Sequence, residues 1–233
     1  MCSGIILFSL VLLSVSVGRA QEEEGYDVIV IAGQSNAVGR GLGEVSENPI
    51  YLQEAGRVFQ LGRFGADDGK IIPASEPLHH WGQAPGKNID RKGFAYPFAL
   101  RYAHGLSKLR KVLLVPVARG STTILLWDRE QQAFTHAGLD DLGPTILWDD
   151  MVQRTRQALA LHPGNRLVAV LWHQGEADIN ALANPRSGLH AFMTGGDLYR
   201  AKLEELRAGL RKAFDVPGQN PFMFLIGECS ETW

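Results

Sequence analysis

The chain has 233 residues, a formal net charge of −2 and 45% hydrophobic residues. That length suits one α/β domain around a packed core, and ordinary apolar content argues against disorder. Acids and bases are mixed along the chain, which excludes the strong positive field that recruits nucleic acid or an anionic membrane surface.

Residues 1–20 read as a secretory signal peptide, so the protein is expected to be secreted, extracellular or periplasmic. Ile5 to Val17 form an apolar run broken only by Ser9, Ser14 and Ser16. Gly18 and Ala20 suit cleavage before Gln21, and Glu22-Glu23-Glu24 open a polar mature end. Met1 to Gly4 carry no Lys or Arg, a departure from the usual leader. The apolar run is shorter than the roughly 20 residues a membrane span needs, so stable insertion is not expected. Cys2 lies inside the leader, leaving Cys229 alone in the mature chain with no internal disulfide partner.

Four short apolar segments without polar alternation read as strands buried on both faces: Val28 to Ile31, Val112 to Val115, Leu167 to Leu171 and Phe222 to Ile226. A further strand is expected at Val58-Phe59-Gln60, inside a Gly- and Pro-rich insertion over 39–93 of the kind that builds binding faces. Helical patterns run from Pro97 to Lys111, from Pro144 to Leu161 and from Asp197 to Phe214. In the last of these, Leu203, Leu206, Leu210 and Phe214 share one face. Alternating strands and helices imply an α/β fold with a mainly parallel sheet and helices on both sides. Ligands of such sheets sit beyond the carboxyl ends of the strands.

The residues after three strands are unusual. The first is followed by Ala32-Gly33-Gln34-Ser35-Asn36, where glycine permits a sharp turn and leaves a serine at the strand tip. Taken alone, Gly-x-Ser is as well explained by a helix N-cap. It is not the α/β-hydrolase elbow, because Ala37 stands where that motif needs glycine. The second strand leads into Pro116-Val117-Ala118-Arg119-Gly120-Ser121-Thr122, an ordinary strand-to-helix loop or a set of backbone donors for an oxyanion. The third leads into Trp172-His173-Gln174-Gly175-Glu176-Ala177-Asp178. A solvated first helical turn accounts for Asp178 there. It does not account for His173 and Gln174, since polar groups next to a buried strand are costly unless paired.

Together these segments resemble the SGNH hydrolases, in particular the sialate O-acetylesterase-like and acetylxylan-esterase-like carbohydrate esterases. Gly33-Gln34-Ser35-Asn36 matches the nucleophile motif of that branch, and the string from Trp172 to Asp178 matches its second signature. The resemblance covers residues 26–233 and implies a flavodoxin-like three-layer α/β/α sandwich. It makes Ser35 the nucleophile and Glu176 the acid that orients a catalytic histidine. It makes Gly120, the Ser35 backbone N–H and the Gln174 amide the oxyanion donors, with Gln34, Asn36 and His173 in the surrounding motif. The implied substrate is an acetylated carbohydrate, with no cofactor or metal. The family's Asp-x-x-His segment after the last strand is missing, because the chain stops seven residues past Ile226, at Trp233. Either the sequence is a fragment, or it is a non-catalytic carbohydrate-binding relative; recruitment of His173 as base is a third option.

The remaining polar singles point to less. His79-His80 lacks a third ligand at metal spacing and reads as a loop pair. His104, His136, His162 and His190 read as surface or cap residues. Gly39-x-Gly41-x-Gly43 has the wrong spacing for a dinucleotide turn, so a nucleotide-binding reading rests on fold alone. Trp81, Trp127 and Trp148 stack on sugar rings or fill the core; the sequence does not separate these.

Overall fold

Gly25–Gly33 forms the central strand, β1, and its side chains alternate between two buried clusters. Val28, Val30 and Ala32 enter one, Ile29 and Ile31 the other. This is the period-two pattern of a strand covered on both faces. The computed structural model describes residues 24–42, 49–83, 86, 89–128, 146–184, 186, 195–215, 217 and 220–227. Residues 1–20, His136, His190, Cys229 and the stretch past Gly227 lie outside these.

The other strands are β2 (Val58–Leu61), β3 (Ile71–Pro73), β4 (Arg110–Pro116), β5 (Arg166–His173) and β6 (Met223–Ile226). The sheet order is β3-β2-β4-β1-β5-β6, parallel throughout except for β3. All five expected strands are present. β3 is the addition: three residues ending in proline carry too little pattern to be read, and proline is tolerated there because the strand lies at an edge.

The helices are α1 (Ser35–Val38), α2 (Pro49–Glu54), α3 (Ala95–His104), α4 (Leu147–Ala160), α5 (Glu176–Ala183) and α6 (Gly196–Phe214). α1 and α3 bury Ala37, Val38, Ala95, Ala99, Leu100 and Ala103 on one face of the sheet. On the opposite face α4, α5 and α6 bury Leu147, Met151, Val152, Ala158, Ala181, Leu206 and Leu210. The result is the expected three-layer sandwich. The helix expected to end at Lys111 stops at His104, because Arg110 and Lys111 already pair with Gly25 and Tyr26 of β1. It also begins two residues before Pro97, whose missing N–H costs nothing in a first turn.

At the amino end of β1, Asp27 is fully buried and held by three donors. Arg110 Nε lies 2.6 Å and Arg166 Nε 2.8 Å from Asp27 Oδ1, while the Tyr102 hydroxyl donates to Oδ2 at 2.7 Å. Burial works against the Asp27 anion, but the bonds from Arg166, Tyr102 and Arg110 outweigh it and hold its pKa below the ordinary value. This network ties β1, β4, β5 and α3 together at the end of the sheet opposite the unusual motifs.

At the other end, β1 leads to α1 on one face, whereas β4 and β5 lead to α4 and to α5 and α6 on the other. Ligands of open α/β sheets bind beyond the carboxyl end of a strand where the connections diverge in this way. Ser35 stands there.

Candidate active site

Backbone bonds fasten the tip of β1 to both neighbours. Gln34 N–H donates to the His173 carbonyl at 2.9 Å, and Arg119 N–H donates to the Gly33 carbonyl at 3.0 Å. Gly33 has φ +119°, and a Cβ there would collide with the backbone of His173, so only glycine fits this turn. The chain then folds into the single turn of α1, with Ser35 as its first residue and Gly39 N–H closing it on the Ser35 carbonyl at 3.0 Å. Gln34 gives α1 no side-chain cap. Ser35 itself is half-buried, and among the described residues none accepts a hydrogen bond from its hydroxyl.

Both sequence neighbours of Ser35 are bonded to the segment after β5. Asn36 Nδ2 donates to Glu176 Oε1 at 2.5 Å. Gln34 Oε1 accepts from Ala177 N–H at 3.1 Å and from Gln174 Nε2 at 3.2 Å. Ser35 is thereby flanked on both sides by bonds that join its own motif to the one after β5. Gly120 is buried in the turn after β4, where the guanidinium of Arg40 approaches it. His173 Nδ1 lies 3.6 Å from Glu176 Oε1, and the imidazole sits beneath Gly227, the residue that leaves β6. Glu176 is 5% exposed, and its Oε2 has no partner among the described residues. Gly175, at φ +144°, makes the turn that starts α5 beneath it.

The Gln174 amide is engaged within the protein in this structure. Its Nε2 faces three acceptors: the Thr122 carbonyl at 2.9 Å, Gln34 Oε1 at 3.2 Å and the Asp178 carboxylate. An amide has two hydrogens, so none remains for an oxyanion. Flipping the amide would set its oxygen against the Thr122 carbonyl and the Asp178 carboxylate. Gln174 therefore ties the β4 turn, β1 and α5 together. The Tyr199 hydroxyl, donating to its carbonyl at 2.7 Å, anchors it from α6.

Asp178 carries no local signal of a site neighbour, because an acid in a first helical turn is usually solvated. Here it is 3% exposed, and its carboxylate accepts the Ile124 N–H at 3.0 Å besides the Gln174 amide. Burial, reinforced by Glu176 and only partly offset by the bonds from Gln174 and Ile124, raises its pKa to about 6. A carboxyl raised in the folded state stabilises while protonated, and that stability is lost as pH rises through the folded value. The gap between the ordinary 3.8 and about 6 corresponds to about 3 kcal/mol. Asp178→Asn should therefore gain stability relative to wild type by about that amount between pH 4 and pH 7. Denaturant melts at the two pH values measure it; a pH-independent difference would contradict the buried, strained carboxylate.

His80 lies in a loop, as expected, but is fully buried, whereas His104 is exposed beside Glu54. Among the described residues no group of three metal-ligating side chains occurs, and no helix is long and apolar enough to cross a membrane. Trp127 belongs to the core at 1% exposure, packed edge-on against Trp172. Trp81 lies under the Arg63 guanidinium, and Trp148 packs on Gly209.

Residues 25–230 match the family described as carbohydrate esterase, sialic acid-specific acetylesterase. The chain belongs to this esterase family. The probable 9-O-acetyl-N-acetylneuraminic acid deacetylase of Escherichia coli (strain K12) is 26% identical over 224 residues, spanning 82% of this chain. The chain covers 65% of that relative's length. The crystal structure of NanS superposes with a TM-score of 0.53 at 25% identity, over 83% of this chain and 64% of NanS. A protein from Arabidopsis thaliana has the same fold, with a TM-score of 0.56 at 24% identity over 86% of this chain and 72% of its own.

Proposed function

We propose that this member of the sialic acid-specific acetylesterase family is the catalytic domain, residues 26–233, of a secreted serine esterase that removes O-acetyl groups from carbohydrate. The observation that carries the reading is the bracketing of Ser35: Asn36 is bonded to Glu176 on one side and Gln34 to Gln174 and Ala177 on the other. Export through residues 1–20 would bring the domain to extracellular glycans.

In the proposed reaction the Ser35 hydroxyl oxygen attacks the acetyl carbonyl carbon while a histidine takes its proton. The negative charge of the tetrahedral intermediate falls on the former carbonyl oxygen, where the backbone N–H groups of Ser35 and Gly120 receive it. Preorganised donors of this kind each lower such a barrier by about 3–4 kcal/mol. The carbon–oxygen bond to the sugar then breaks and the sugar oxygen takes the proton, leaving acetyl-Ser35. Water, deprotonated by the same base, releases acetate. Gln174 serves this scheme as a tie rather than a donor. Glu176, with one oxygen held by Asn36 and the other without a partner among the described residues, is suited to accept an imidazole N–H and fix its tautomer. The base in this scheme is a histidine, either that of the Asp-x-x-His segment which the family resemblance implies or His173, whose Nδ1 lies 3.6 Å from Glu176 Oε1.

A 9-O-acetylated sialic acid is the favoured substrate, following the relative from E. coli, with acetylated xylan second. The test is acetate release by the complete protein from each of these and from an aryl acetate. Release from the sialate at least about tenfold faster than from xylan supports the assignment. Binding of acetylated glycan without any acetate release would overturn it and leave a carbohydrate-binding protein.

A further inference from the structure

The turn after β4 has an edge that the sheet does not complete. Val117 N–H donates to the Ile31 carbonyl and Arg119 N–H to the Gly33 carbonyl, so the odd residues of this turn stay paired with β1. The even residue, Ala118, points its N–H and carbonyl to the other side. β2 would serve that side, but it pairs with β4 only as far as Gln60↔Leu114 and ends at Leu61. Buried backbone groups left in this position need partners from elsewhere.

The His80–Trp81 segment supplies both. His80 Nδ1 accepts the Ala118 N–H at 3.1 Å, and Trp81 N–H donates to the Ala118 carbonyl at 3.2 Å. The segment is itself anchored. His79 N–H donates to Gln60 Oε1 at 2.8 Å, and Trp81 Nε1 donates to Asp150 Oδ2 at 3.1 Å. Arg63 stacks over the Trp81 ring, pairs with Asp150 at 2.8 Å, and donates to the Pro116 carbonyl at 3.2 Å. Accepting from an amide requires Nδ1 without a proton. Burial, then the charges of Arg63 and His79, push the His80 pKa down to about 3, so the ring is neutral at working pH. Its Nε2 has no partner among the described residues. The Ala118 N–H is thus the imidazole's one described hydrogen-bond partner.

We propose that His80, with Trp81, is a positioning residue: it replaces the absent strand beside Ala118 and so sets the place of Gly120, two residues on. The inference rests on the esterase reading for its catalytic consequence, but not for the clamp itself.

The test compares two variants of the complete protein, His80→Leu and His80→Asn. Leucine fills the space without an acceptor. The Asn Oδ1 takes the position of Nδ1. With an aryl acetate, His80→Leu should lower kcat about 10²-fold, as loss of an oxyanion donor does, and leave KM within roughly threefold. His80→Asn should bring kcat back to within roughly fivefold of wild type. Should His80→Leu not fold, His80→Gln replaces it, since its amide reaches the Nε2 position and not Nδ1. Hydrogen exchange supplies the readout that needs no activity. The Ala118 amide should exchange about tenfold or more faster in the acceptor-less variant than in His80→Asn, with Val115 unchanged in both. Equal kcat in both variants, or an Ala118 amide indifferent to the substitution, overturns the proposal. A wild-type protein without esterase activity, combined with the expected exchange pattern, would instead overturn the esterase reading and leave the clamp standing.

Discussion

Asp27→Ala should be the most destabilising single substitution in the described part of the chain, lowering stability by about 3–5 kcal/mol. The cost arises less from the lost attraction than from what remains. Arg110, whose side chain is 3% exposed, would be left charged and buried with its main acceptor gone. Arg166, half exposed, can turn to water and is expected to contribute less. Domain stabilities are commonly only about 5–15 kcal/mol, so such a loss is a large share of the whole. For a domain of this size it corresponds to a fall in Tm of roughly 6–20 °C, measurable by calorimetry at pH 7. The pH dependence has a definite sign. The folded pKa of Asp27 is depressed, so its contribution is present above the ordinary 3.8 and lost as pH falls through the folded value. Wild type and Asp27→Ala should therefore converge in strong acid. A Tm unchanged at pH 7 would show that the network contributes little.

Ser35→Ala should have the largest effect on activity and almost none on stability. Replacing the hydroxyl removes the atom that forms the acyl bond, and losses of at least about 10⁴-fold in kcat are expected for a serine nucleophile. The fold does not depend on that hydroxyl: it donates to no described residue, and the turn of α1 is closed by backbone groups. The Tm of the variant should match wild type closely. Loss of activity accompanied by a large fall in Tm would point to a structural role instead.

The layers of this protein were legible because its central strands are buried on both faces and therefore read as short uninterrupted apolar runs. The same runs announced which strand ends to inspect, since each unusual motif directly follows one of them. Two features escaped. Asp178 looks like an ordinary acid of a first helical turn, and nothing local signals that Ile124, more than fifty residues earlier, would bury it. His80 looks like half of a loop pair. Its burial follows from the pairing of β2 with β4 stopping at Leu114, four residues short of Ala118, a property of register that periodicity does not carry. The engagement of Gln174, expected as an oxyanion donor by resemblance, was not legible either. The Thr122 carbonyl and Asp178 take its hydrogens, and both come from segments whose approach only the tertiary fold defines.

The proposed reaction passes through an acetyl group carried on Ser35. Rapid quenching of the complete protein during turnover of an aryl acetate, followed by proteolysis and mass spectrometry, reads this directly. One acetyl group on the peptide containing Ser35, absent in Ser35→Ala, is the predicted result. Steady acetate release with no acetylated Ser35 peptide, and with undiminished turnover by Ser35→Ala, would contradict it.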